Sequence, residues 1–271
     1  MSTLEAIIIA IVEGLTEYLP ISSTAHMIFT SSLMGIQEDK FVKMFQLCIQ
    51  FGAILAVVTL YWKKFFDFSR WQFYAKLALA VIPALILGKL FDEKIEKVMG
   101  EPIYIAFVLV LGGIVLLFVD KLFKTQPIDC EEKIGFKRAL IIGFWQCLAM
   151  MPGTSRSAAS IIGGMQQKLT RETAAEFSFF LAVPTMLAVM VYSLFLKTWT
   201  ENEIPIKGYE FLMNSTDQLG LFILGNVIAY IVAILAIKGF VNTIKKYGFK
   251  IWGYYRIVVG ILLILYFTQQ Q

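Results

Sequence analysis

Residues Glu13 to His26 read EGLTEYLPISSTAH, a run of carboxylates and hydroxyls around a proline that ends on the only histidine of the chain. It lies between two apolar runs, AIIIAIV at Ala6–Val12 and MIF at Met27–Phe29. The chain is 58% hydrophobic and only 16% charged, against roughly 25% charged residues in an ordinary globular domain. Such a chain belongs in a bilayer, and its most polar stretch interrupts an apolar region too short to cross one.

Outside such regions, windows of about 19 residues give six stretches long enough to span hydrocarbon, about 44–62, 74–90, 102–119, 178–196, 219–238 and 252–268. Two further apolar regions, 6–34 and 138–165, are each split by a polar motif containing proline, LPISST and MPGTSRS. Each reads as a re-entrant hairpin, because irregular backbone at membrane depth is tolerated only where protein or a water-filled cavity covers it. The segment before Lys40 has no Lys or Arg and carries Glu5 where a signal peptide would be basic, so it is expected to stay in the mature protein. Cys48, Cys130 and Cys147 show neither a CxxC spacing nor an even count, and read as inert packing residues.

Superimposing Pro20 on Pro152 also superimposes Ser23 on Ser155, Phe45 on Phe177 and Leu55–Val57 on Leu187–Val189. The expected fold is therefore an all-α integral membrane protein with six transmembrane helices and two re-entrant helical hairpins. It forms one membrane domain over 1–271, built from repeats at 1–120 and 135–271. One hairpin and three spans end on the side opposite their start, so the repeats are expected to be inverted in topology. Most of the 24 Lys and Arg residues then fall in loops on one side, which the positive-inside rule makes cytoplasmic, with both termini outside. In inverted repeats broken helices build a site near the midplane.

The chemistry of the breaks is anionic-ligand chemistry. Glu13 and Glu17, four apart on the incoming helix, can hold one cation together. Pro20 ends that helix, and Ser22 or Ser23 can cap the next, whose N–H groups and positive dipole end face the break. Ser23 and His26, three apart, can share a hydrogen bond. In the second break Pro152 and Gly153 turn the chain, Thr154 or Ser155 can cap, and Arg156 offers a bidentate fork to phosphate oxygens. Ser22 and Thr24 in one break, and Thr154, Ser155, Ser157 and Ser160 in the other, are candidates for contacting phosphate. For Thr16, Ser157 and Ser160 an interhelical packing role is an equal alternative. Arg256, just after GYY near the start of the last span, is read as snorkelling to the interface and left out of the site.

The motifs VEGLTEYLPISSTAHM and CLAMMPGTSRSAASIIGGM, followed by EFSFFLAVP, resemble those of the undecaprenyl-pyrophosphate phosphatases, also called bacitracin-resistance proteins. The resemblance spans essentially the whole chain. It implies a multi-pass enzyme of the bacterial inner membrane, with its active site facing the exterior, that hydrolyses undecaprenyl diphosphate to recycle the peptidoglycan lipid carrier. It also implies a divalent cation, Mg2+ or Ca2+, and carries functional roles onto Glu13, Glu17, Ser23, His26, Ser155 and Arg156. The expected mechanism is attack by Ser23 on phosphorus with His26 as base, although His26 or a water molecule could attack instead. Partners are the lipid substrate and the bilayer, with no nucleic acid, and a homodimer is compatible with the reading. A transporter or flippase of polyprenyl phosphate is the alternative function.

Overall fold

The computed structural model describes residues 1–124, 127–201 and 204–269. Helices α1 (Thr3–Thr16) and α2 (Ser23–Leu33) flank the first break, and α8 (Phe136–Gln146) and α9 (Arg156–Gln166) flank the second. Between and after them run α3 (Lys40–Cys48), α4 (Gln50–Leu60), the short α5 (Trp62–Phe65), α6 (Trp71–Met99), α7 (Pro102–Leu122), α10 (Arg171–Val191), α11 (Gly208–Asn214), α12 (Thr216–Tyr247) and α13 (Lys250–Thr268). Among the described residues six helical stretches are long and apolar enough to cross a membrane: Lys40–Leu60, Trp71–Met99, Pro102–Leu122, Arg171–Leu196, Thr216–Tyr247 and Lys250–Thr268. These are the six expected spans. Most run further at one or both ends, because a helix continues past hydrocarbon while its backbone hydrogen bonds propagate. In the first, α3 and α4 meet at Ile49, and the Gly52 N–H donates both to the Ile49 carbonyl at 3.0 Å and to the Asn226 side chain at 2.8 Å.

The expected span 178–196 ends in a π-helical turn at Tyr192–Leu196, and after it comes a small antiparallel hairpin of β1 (Thr198–Glu201) and β2 (Ile204–Lys207). Trp199 closes it against the helices by donating Nε1–H to the Ser193 carbonyl at 3.0 Å.

Packing within a bilayer gains little from the hydrophobic effect, so close contact falls to small residues. Helices α7 and α13 cross where Gly113 and Gly253 face each other: a Cβ on either would lie 2.8 Å from the other's carbonyl oxygen. Helix α1 lies against α12 with Gly14 on the Ala229 backbone, and α8 lies against α6 with Gly143 on the Ala80 backbone. The short helices α1 and α8 that lead into the two breaks thus pack on long helices distant in sequence, α12 and α6 respectively. Large apolar side chains such as Ile86, Leu111, Ile231, Leu235 and Leu262 stay exposed on the outer surface, as a lipid-facing belt requires.

Candidate active site at the two helix breaks

Both breaks are shaped by a serine cap in an uncommon conformation. Ser22 has φ 71° and Ser155 φ 75°, left-handed values that an L-residue rarely adopts and that cluster at functional sites. Each hydroxyl accepts the N–H three residues on, Ala25 at 3.4 Å and Ala158 at 3.2 Å. The caps are therefore Ser22 and Ser155. The sequence superposition of Ser23 on Ser155 is one residue out of step, because the second break has one more residue between its proline and its cap. In the structural pairing, Ser23 and Arg156 are the first residues of α2 and α9. The N–H groups of Ser23 and Thr24, and of Arg156 and Ser157, have no partner within their helices.

The breaks touch. Ser157 Oγ donates across to the Leu19 carbonyl at 2.7 Å, and the Arg156 guanidinium reaches Glu17 Oε1 with Nη2 at 2.9 Å. Arg156 Nη1 donates to the Ser178 carbonyl at 2.8 Å and to its hydroxyl at 3.2 Å. Its Nε–H is buried without a partner. On the other carboxylate oxygen of Glu17, Oε2, the Ser23 hydroxyl donates. Glu17 is thus held by the arginine of one break while it accepts the hydroxyl proton of the other.

Glu13, one turn earlier, is fully buried, and neither carboxylate oxygen has a hydrogen-bond partner. A buried carboxylate is costly unless it is paired with a cation or protonated. Hard divalent cations take oxygen ligands of this kind. Among the described residues no three His, Cys, Asp or Glu side chains come together to hold a metal. The Glu13/Glu17 pair therefore fits a cation whose coordination is completed by phosphate oxygens and water, a usual arrangement for Mg2+.

The expected Ser23–His26 hydrogen bond does not form. A spacing of three puts the two residues on one helical face but leaves their side chains free to turn apart. Ser23 turns to Glu17, whereas the His26 ring turns to α13. His26 Nδ1 lies 2.7 Å from the Ser22 carbonyl, which can only accept, so Nδ1 carries the proton. In the neutral ring Nε2 then accepts from the Tyr255 hydroxyl at 2.9 Å. His26 buttresses the strained cap and is not in line to take the Ser23 proton.

The other candidates separate into two groups. Ser157 and Ser160 are buried, and their hydroxyls serve the protein: besides the Leu19 link, Ser157 Oγ pairs with Ser155 Oγ at 3.0 Å, and Ser160 Oγ donates to the Arg156 carbonyl at 2.8 Å and pairs with Ser178 Oγ at 2.7 Å. Thr16 likewise donates to the Val12 carbonyl at 2.6 Å. All three hydroxyls are thus engaged within the protein. Thr24 and Thr154 stay half-buried at the mouths of the breaks.

Two residues escaped the sequence reading. Ser178 was visible only as a lone hydroxyl in EFSFF. Arg256 does not snorkel: it is fully buried, and its guanidinium donates to the carbonyls of Pro20 at 3.1 Å, Gly153 at 2.7 Å and Thr154 at 2.9 Å. An interfacial arginine was the simpler reading because nothing local to GYYR indicates carbonyl groups from two distant breaks.

Residues 6–262 match the family model described as bacitracin resistance protein BacA. The chain is 50% identical to an undecaprenyl-diphosphatase of Flavobacterium johnsoniae, over 98% of this chain and 96% of that relative. It is 46% identical to an undecaprenyl-diphosphatase of Porphyromonas gingivalis with the same coverage, and 44% identical to one of Bdellovibrio bacteriovorus over 99% of this chain and 97% of the relative.

Proposed function

The chain belongs to the bacitracin resistance protein BacA family, and from that membership and the geometry of the breaks we propose that it is a membrane phosphatase that hydrolyses undecaprenyl diphosphate to undecaprenyl phosphate and phosphate. The observation that carries the reading is the Ser23 hydroxyl donating to a Glu17 carboxylate that Arg156 also grips. Ser23 Oγ attacks the terminal phosphorus while its proton passes to Glu17 Oε2. The bond from that phosphorus to the bridging oxygen breaks, and the lipid monophosphate leaves with the electron pair. Water then attacks the phosphoserine and the P–Oγ bond breaks; Ser23 Oγ recovers its proton from Glu17, and the proton lost by water leaves on the released phosphate. The unpartnered Arg156 Nε–H and the first N–H groups of α2 and α9 are the donors available to the phosphoryl oxygens. The leaving group is already a good one, so positioning and charge neutralisation supply most of the catalysis.

Glu13, with the lone pairs left on Glu17, would hold the divalent cation, Mg2+ or Ca2+, which when bound neutralises diphosphate charge. The polyprenyl tail stays in lipid while the diphosphate meets charge at the breaks. The reciprocal packing of α1 on α12 and of α8 on α6 supports two halves related by inversion. The same architecture serves transporters, so the assay must exclude a pure carrier. Purified protein in detergent, where no gradient exists, is expected to release phosphate from C55 and shorter isoprenoid diphosphates. Glu13→Gln should cut that release and weaken its dependence on added metal. A preparation that binds the lipid but releases no phosphate would leave only the carrier.

The charge distribution of the loops supports an orientation with both termini and loop 197–218 outside, loop 120–138 in the cytoplasm of a bacterial inner membrane, and the site open to the exterior. Cys130 tests it. With Cys48 and Cys147 replaced, a membrane-impermeant thiol reagent should leave Cys130 unlabelled in intact cells and label it after lysis. Labelling in intact cells would reverse the orientation.

A further inference from the structure

Arg256 on α13 has no carboxylate partner among the described ion pairs, yet it is fully buried. A bare charge at this depth is costly unless every donor is satisfied, and here every donor is. Nε donates to the Leu109 carbonyl at 3.1 Å, Nη1 to those of Pro20 and Thr154, and Nη2 to those of Gly153 and, at 3.5 Å, Val108. Five N–H groups thus meet five main-chain carbonyls from three segments: α7, the first break and the second break. Gly112 makes the room, since a Cβ there would fall on the guanidinium.

We propose that Arg256 is a positioning residue for the reaction, the tie that sets the two helix N-termini at the breaks against each other. Carbonyl and N–H of a trans peptide point in opposite directions. Holding the Thr154 carbonyl therefore aims the Ser155 N–H away from Arg256, and Ser155 is the cap from which Arg156 starts. Holding the Pro20 carbonyl fixes the turn that leads through Ser22 to Ser23. The nucleophile and the phosphate-binding arginine each lie within three residues of a carbonyl gripped by this one side chain. Its charge also stands behind both breaks without a carboxylate beside it, whereas the charge of Arg156 is balanced by Glu17. Lysine could not replace it, because three donors on one nitrogen cannot span carbonyls that converge from three directions.

The inference rests on the phosphatase reading, which phosphate release by the unaltered protein tests separately. The test compares Arg256→Lys and Gly112→Ala with the unaltered protein in detergent, with farnesyl diphosphate as substrate and the thermal unfolding midpoint measured on each sample. Arg256→Lys should lower kcat about 100-fold or more while KM moves by no more than about threefold, since tail binding is untouched. Gly112→Ala keeps the arginine but displaces its guanidinium, and should lower kcat about tenfold with KM again held. Near-normal kcat in Arg256→Lys overturns the proposal. So does a loss in Arg256→Lys that tracks a lowered unfolding midpoint and recovers well below it, with Gly112→Ala fully active, because Arg256 would then serve stability alone.

Discussion

Ser23→Ala should release phosphate at least about 10⁴-fold more slowly than the unaltered protein, at every pH. The hydroxyl is the only group on the first residue of α2 that donates to Glu17, and alanine there leaves the carboxylate facing the phosphoryl group with no nucleophile between them. His26→Ala separates this arrangement from a serine–histidine pair. If His26 took the Ser23 proton, its loss would be offset by alkaline pH or added imidazole. His26 is engaged with the Ser22 carbonyl and the Tyr255 hydroxyl, so the variant should lose activity through the cap, and neither treatment should restore it. Rapid quenching with labelled substrate should find an acid-stable phosphoryl group on the Ser23 peptide. An acid-labile one on the His26 peptide would reverse the two roles, and restoration by imidazole would return histidine to the place of base.

Arg156→Lys should lower kcat about 10³-fold although the positive charge survives. The guanidinium uses its two terminal nitrogens on Glu17 and Ser178 and still has Nε–H free for the ligand. A lysine is a single point of charge. It can pair with Glu17 or reach a phosphoryl oxygen, but its one nitrogen cannot do both while also bonding the Ser178 carbonyl. Phosphate release at saturating substrate measures the loss, and a lysine variant with near-normal turnover would show that charge alone suffices. Ser178→Ala, which removes one of the two acceptors for Nη1, should reproduce a small part of the defect.

Hydropathy is a local property, and what depends on it can be read along the chain. The six spans, the two interrupted regions 6–34 and 138–165, and the gathering of Glu13, Glu17, Ser23, His26 and Arg156 at those interruptions all follow from window length, the proline positions and the rarity of ionisable groups at membrane depth. The sequence also carries the cap chemistry, to within the choice between neighbouring hydroxyls. What it cannot carry is which side chain meets which. Glu17 finds Arg156 across 139 positions, and His26 finds Tyr255 across 229. Spacing along a helix decides the face a residue occupies, but the partner on that face comes from another helix. Three outcomes turned on this: Ser23 pairs with Glu17 and not with His26, Ser157 and Ser160 bond protein groups and not a free edge, and Arg256 is drawn inward and not out to the interface. Each was decided by donors and acceptors on distant segments, because inside a bilayer a polar group must be satisfied by whatever the tertiary packing brings within hydrogen-bond reach.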